Sequence, residues 1–175
     1  MNNTNPFIYS DDNKRYHTLN YYNKSSFNSK VFKAVIDAGF TCPNKDGTKG
    51  TGGCIYCMGG SGYFTEKSDG EIYDSVKRQL AAEKERIYKK HPDSLITAYF
   101  QANTNTYAPV ATLKEAYTAA LDFGVHGISI GTRADCLPDD VIALLCDINS
   151  KTHLTVELGL QTIHDKSAQI ITRCY

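Results

Sequence analysis

The sequence has 175 residues, the size of a single domain, and a chain this long buries about 70% of the surface it exposes when unfolded. Nineteen basic residues balance nineteen acidic ones, which removes global charge as a ground for binding nucleic acid, membranes or acidic substrates. Met1 to Asp12 is polar and no stretch reaches the roughly 20 apolar residues that span a bilayer, so a cytoplasmic chain with no membrane partner is expected. In that reducing compartment the six cysteines read as ligands or buried thiols, not as a disulfide framework.

Residues 1–28, rich in Asn, Ser and Tyr, read as a polar N-terminal arm that can hold a short helix, and residues 29–175 as the core. Lys30 to Ile36 reads as the first strand, with Val31, Phe32, Val35 and Ile36 apolar. A glycine-rich loop from Asp37 to Lys67 follows. Ser68 or Asp69 is placed to cap a helix in which Ile72, Val76, Leu80 and Ile87 recur near helical spacing, closed by Pro92. Leu95–Gln101 reads as a strand. Thr112 can cap the next helix, which carries Leu113, Ala116, Tyr117, Ala120 and Leu121 and stops at Gly124. Gly127–Thr132 is a third strand, Pro138 opens a helix running to about Asn149, Leu154–Gln161 is a fourth strand, and His164–Arg173 begins a fourth helix.

Strand and helix in alternation argue for an α/β fold with a parallel sheet and helical crossovers. A full eight-unit (β/α) barrel takes about 250 residues. The expectation is therefore a partial TIM-like (β/α) barrel, an N-terminal half with about four βα units. Such a half leaves an exposed parallel edge, so the chain reads as truncated or as lacking a partner half.

The loop carries Cys42 and, after eleven intervening residues, the pair Cys54-Ile-Tyr-Cys57. Thiolates suit zinc or iron–sulfur clusters, and a Cys-x-x-Cys pair also fits thiol redox chemistry. Structural zinc wants four closed ligands, commonly as two pairs, and no second pair is present. Three local thiolates suit a cluster with one open iron, while zinc and redox thiols stay open as alternatives. The loop follows the first strand at its C-terminal end, the face that holds active sites in parallel α/β folds.

Strand alternation puts Thr97, Tyr99 and Gln101 on one face, with Ser129, Gly131, Arg133, Glu157, Gly159 and Gln161 from the next two strands. The opposite sets, such as Ile96, Ala98 and Phe100, should meet the helices. A barrel interior is ordinarily filled by branched apolar residues, so this polar stripe points to a bound polar ligand. The plainer reading is an internal Glu157–Arg133 ion pair with ordered water.

These residues together resemble the radical SAM superfamily, and within it the YhcC-like proteins, related to the catalytic subunit of elongator. The phrases that carry the likeness are Asp37-Ala-Gly-Phe-Thr-Cys-Pro-Asn44, Asp46-Gly-Thr48, Gly52-Gly-Cys-Ile-Tyr-Cys57, Gly60-Ser-Gly62, Phe100-Gln-Ala102, Thr104-Asn-Thr-Tyr-Ala-Pro109, Ser129-Ile-Gly-Thr-Arg133, Asp135-Cys-Leu-Pro138 and Val156-Glu-Leu-Gly-Leu-Gln-Thr-Ile-His-Asp165. The superfamily usually has three residues between its first two cysteines; the eleven here match the YhcC-like group.

The resemblance implies an enzyme in which Cys42, Cys54 and Cys57 each bind one iron of a [4Fe–4S] cluster. The fourth iron would take S-adenosylmethionine. Tyr56 would lie beside the adenine, and Gln101 and Asn105 near the methionine moiety. Glu157, Gln161 and Arg173 would also face the ligand, with Arg173 suited to a carboxylate. Arg133 would contact substrate or cofactor. The implied reaction is reductive cleavage to methionine and a 5′-deoxyadenosyl radical that abstracts hydrogen from an unidentified substrate. It needs an electron donor such as a flavodoxin or ferredoxin. No catalytic side chain is implied beyond these.

Other residues have plainer readings. Cys136 and Cys146 lie on or beside an amphipathic helix and read as buried thiols. His164 reads as a helix cap, a site residue or a surface histidine. Lys14, Arg15, Lys24, Lys30 and Lys33, mixed with Tyr16, Tyr21 and Tyr22, could touch RNA, which with the kinship to elongator suggests an RNA-modifying enzyme; a solvated arm is the simpler account.

Overall fold

The computed structural model describes residues 14–57 and 68–174. The Gly60-Ser-Gly62 phrase, the start of the polar arm and Tyr175 lie outside the described residues. The elements run α1 (Leu19–Phe27), β1 (Val31–Ile36), α2 (Ile72–Tyr88), β2 (Leu95–Phe100), α3 (Val110–Phe123), β3 (Gly127–Thr132), α4 (Asp139–Asn149), β4 (His153–Leu158) and α5 (Asp165–Ile170). The four strands form one parallel sheet in the order β1-β2-β3-β4. The fold is thus α/β with alternating strands and helices.

Alternation along the strands builds the two faces. Ala34 and Ile36, Ile96, Ala98 and Phe100, and Ile128 and Ile130 point outward and are buried with Val76 and Leu80 of α2, Leu113 and Tyr117 of α3 and Val141, Leu144 and Ile148 of α4. Full burial of each large apolar side chain contributes about 1.5–3 kcal/mol. Phe100 meets Tyr117 edge-on at 5.2 Å between ring centres. Lys33, Tyr99, Ser129 and Glu157 point to the other face. Beneath that face, at the N-terminal ends of the strands, α1 sets Phe27 against His126 (4.3 Å) and His153 (5.1 Å).

β1 is an edge strand, and α2 covers its open edge. Gln79 accepts from Asp37 N at 2.9 Å and donates to Asp37 O at 2.8 Å, and Glu83 accepts from Val35 N at 3.4 Å. Two buried polar side chains of a helix thus replace a neighbouring strand.

Some boundaries differ from the sequence reading. α2 starts after Glu71, not at Ser68 or Asp69, and Asp69 instead pairs with Arg78. α3 starts after Pro109, whose fixed φ suits helix entry, so Thr112 falls inside the first turn. It ends as expected at Gly124, where φ is +81°. β4 stops at Leu158, three residues early, because the chain turns sharply there: Leu160 N bonds Leu158 O at 3.2 Å and Thr162 N bonds Leu160 O at 2.9 Å. α5 is shorter than expected, and Thr172 at φ +51° follows it. Among the described residues no helix is long and apolar enough to cross a membrane.

Candidate functional site

The chain leaves β1 into the cysteine loop at the carboxyl end of the sheet. Cys42 O accepts from Lys45 N at 2.8 Å and Asp46 N at 3.1 Å, closing a turn directly after the first cysteine. Gly53 N donates to Asn44 O at 2.8 Å, which folds the loop back, and Cys57 N donates to Cys54 O at 2.8 Å, which closes the Cys-x-x-Cys turn. Gly53 has φ +81°, and a Cβ there would lie 3.1 Å from Lys45 and 3.4 Å from Cys57 Cβ. Only glycine fits between them.

A strap from the far end of the chain holds this turn. Ile55 N donates to Ile171 O at 3.1 Å, Thr172 Oγ1 donates to Gly53 O at 3.0 Å, and Asn44 Nδ2 donates to Thr172 O at 2.6 Å. Arg173 bonds Gly159 O and reaches Cys54 Sγ at 3.9 Å.

Below the loop lies a cavity of about 500 Å³. Cys42, Cys54 and Cys57 line it together with Tyr56, Gln101, Arg133, Glu157, Gln161 and Arg173. Nine of the ten residues expected from the sequence therefore line one cavity. Asn105 stands apart: it is 0% exposed, and its N and Nδ2 both donate to Gly131 O, at 3.1 and 2.9 Å. It braces the end of β3 from behind.

None of the three cysteines is in a disulfide. Burial pushes the Cys54 thiol up, but hydrogen bonds from Tyr56, Arg173 and Asn44, with the Arg173 charge, bring it below its ordinary value. Among the described residues no group of three or more Cys, His, Asp or Glu side chains is drawn together tightly enough to hold a metal ion as it stands.

The two charges of the polar stripe do not pair with each other, which corrects the ion-pair reading. Glu157 binds the Lys33 ammonium, Tyr99 OH at 2.8 Å and Ser129 Oγ at 3.1 Å, so one side chain from each strand joins a single network. Lys33 also sits 3.8 Å from the centre of the Tyr99 ring. Burial and the Glu157 carboxylate push the Tyr99 phenol up to about 12. Arg133 instead forks onto Asp135, Nε to Oδ1 at 2.8 Å and Nη2 to Oδ2 at 2.7 Å, and bonds Cys174 O. Asp135 also takes Lys49 of the cysteine loop at 2.5 Å.

Sequence reasoning missed Asn44, Asn103 and Lys33. Asn103 Oδ1 accepts from Lys45 at 2.7 Å, tying the loop after β2 to the cysteine loop. Lys33 was counted with the basic arm, yet its alternation with Ala34 and Ile36 marks it as inward-facing. Cys136 is buried as expected, whereas Cys146 is exposed, because α4 buries Val141, Leu144, Leu145 and Ile148 instead. His164 is the residue before α5 and caps it without a side-chain bond.

No protein-family model matches the chain. The chain is 49% identical over 177 residues to the uncharacterised protein YtqA of Bacillus subtilis strain 168, covering all of this chain and 54% of that protein. It is 38% identical over 149 residues to protein YhcC of Escherichia coli K12, covering 84% of this chain and 46% of that one. It is 35% identical over 159 residues to the uncharacterised protein MJ0486 of Methanocaldococcus jannaschii, covering 87% and 46% respectively. The chain spans about half the length of the curated relatives it matches.

Proposed function

We propose that this chain is the N-terminal part of a radical SAM enzyme, its four βα units forming the first part of a TIM-like barrel. The observation that carries the reading is one cavity lined by three cysteines, none in a disulfide, and by polar side chains of three strands. The donor set fits the cluster. A zinc ion needs every ligand about 2.0–2.3 Å from one centre, whereas a four-iron cluster spreads its thiolates over separate irons. Three thiols lining one cavity can each take a separate iron, and the lowered Cys54 thiol suits a ligand that must be deprotonated.

Cys42, Cys54 and Cys57 would hold the cluster. Tyr56, Gln101, Gln161 and Arg173 would hold S-adenosylmethionine, with Arg173 facing a carboxylate. When bound, the cluster supplies the electron that splits the sulfonium carbon–sulfur bond, drawn from a donor of the flavodoxin or ferredoxin type. The protein's own part is orientation. The strap fixes the Cys-x-x-Cys turn, and the Lys33–Glu157–Tyr99 network keeps the Glu157 carboxylate ionised at the cavity wall. Burial raises the Glu157 carboxyl, and bonds from Lys33, Tyr99 and Ser129 more than reverse this.

Anaerobic reconstitution should load about four irons per chain, and Cys54→Ala should abolish the loading. The intact polypeptide, reduced in the presence of S-adenosylmethionine, should release 5′-deoxyadenosine. A loaded protein that releases none is not a radical SAM enzyme.

A further inference from the structure

Asn44, just after Cys42, is 1% exposed. Its Nδ2 donates to Thr172 O at 2.6 Å and to Cys54 Sγ at 3.4 Å. The Thr172 carbonyl decides which end of the amide points this way, since an oxygen turned toward it would be repelled. Asn44 Oδ1 is then buried with no hydrogen-bond partner among the described residues. An amide that forgoes its acceptor bond while committing both N–H groups is arranged around its donors.

We propose that Asn44 is a positioning residue that sets the electron density on the Cys54 thiolate and, through it, the reduction potential of the cluster. This rests on the iron–sulfur reading above and adds a residue that ligates nothing. A hydrogen bond to a ligand sulfur withdraws density from it, which favours the more negative, reduced cluster and raises its potential. Gly50 belongs to the same device. A Cβ there would lie 2.7 Å from Asn44 Oδ1, so any side chain at that position pushes the amide out of place.

The test is a redox titration of the reconstituted full-length protein, followed by electron paramagnetic resonance, with iron and sulfide counted per chain. Wild type is compared with Asn44→Leu, which keeps bulk and removes both donors, and Asn44→Asp, which keeps shape and adds negative charge. The expected result is a potential shifted negative in both variants, further in Asn44→Asp, at unchanged iron content. Equal potentials in fully loaded variants overturn the proposal and leave the iron–sulfur reading standing. A wild type that takes up no iron overturns that reading, and this proposal with it. Loss of iron from both variants, with wild-type circular dichroism, overturns the tuning role, because Asn44 is then needed for assembly instead.

Discussion

Arg133 shows how a buried charge is made tolerable. Its side chain is 3% exposed, and its counter-ion Asp135 is 20% exposed. The Arg133 guanidinium holds the Asp135 carboxyl well below the usual carboxylate range, with Lys49 adding to the effect. Because the folded value lies below the unfolded one, the stabilisation is complete above about pH 5 and is lost progressively as pH falls below about 4. Asp135→Asn leaves the guanidinium buried without its counter-charge and should cost about 3 kcal/mol at pH 7. Urea melts should also show a flatter loss of stability in acid than wild type. A variant as stable as wild type would mean that Arg133 finds another partner. The choice of Asp135 over Glu157 was not legible in the sequence. Alternation placed Arg133 and Glu157 on one face, but a carboxylate two residues away reaches the guanidinium with both oxygens, and Lys33 was free to take Glu157.

At the scale of elements, α2 does two jobs. Its apolar side packs on the sheet, and its polar residues Gln79 and Glu83 finish the edge of β1. Gln79→Leu keeps volume but strips the partners from Asp37 N and O, where the chain enters the cysteine loop. The expected loss is about 2–3 kcal/mol, read from the denaturation midpoint, with faster amide exchange at Asp37. A loss within error would show that water replaces the glutamine. Element positions were largely readable, because Pro92, Gly124 and Pro138 punctuate the chain and the strands alternate cleanly. Helix starts were less so. Sequence-level caps depend on a side-chain oxygen reaching a backbone N–H, and the N-cap residues of α2, α3 and α4, Glu71, Pro109 and Pro138, make no such bond. Gln79 was hidden for a related reason: a glutamine on a helix reads as solvent-facing until the edge it covers is known. The strap was invisible too, because its bonds join residues far apart in the chain.

For the whole molecule the two edges of the sheet are treated differently. β1 is finished by α2, whereas none of the six residues of β4 is buried. Leu158 (54% exposed) ends that strand, and Leu160 (50%), Ile163 (78%) and Ile170 (71%) follow it in the chain. An open parallel edge flanked by apolar side chains invites association. The 175-residue chain by itself should therefore associate with rising concentration in sedimentation velocity, and Ile163→Lys with Ile170→Lys should suppress this. A monomer at every concentration would show that the edge protects itself. The strap has a consequence in time. Thr172 is made 119 residues after the Gly53 carbonyl it ties down, an interval of about 6–24 s at about 5–20 residues per second on the ribosome. Through that interval the nascent Cys-x-x-Cys turn has its local bonds but not those from the strap, so the turn is held in its final shape only once residues 171 to 173 have been made.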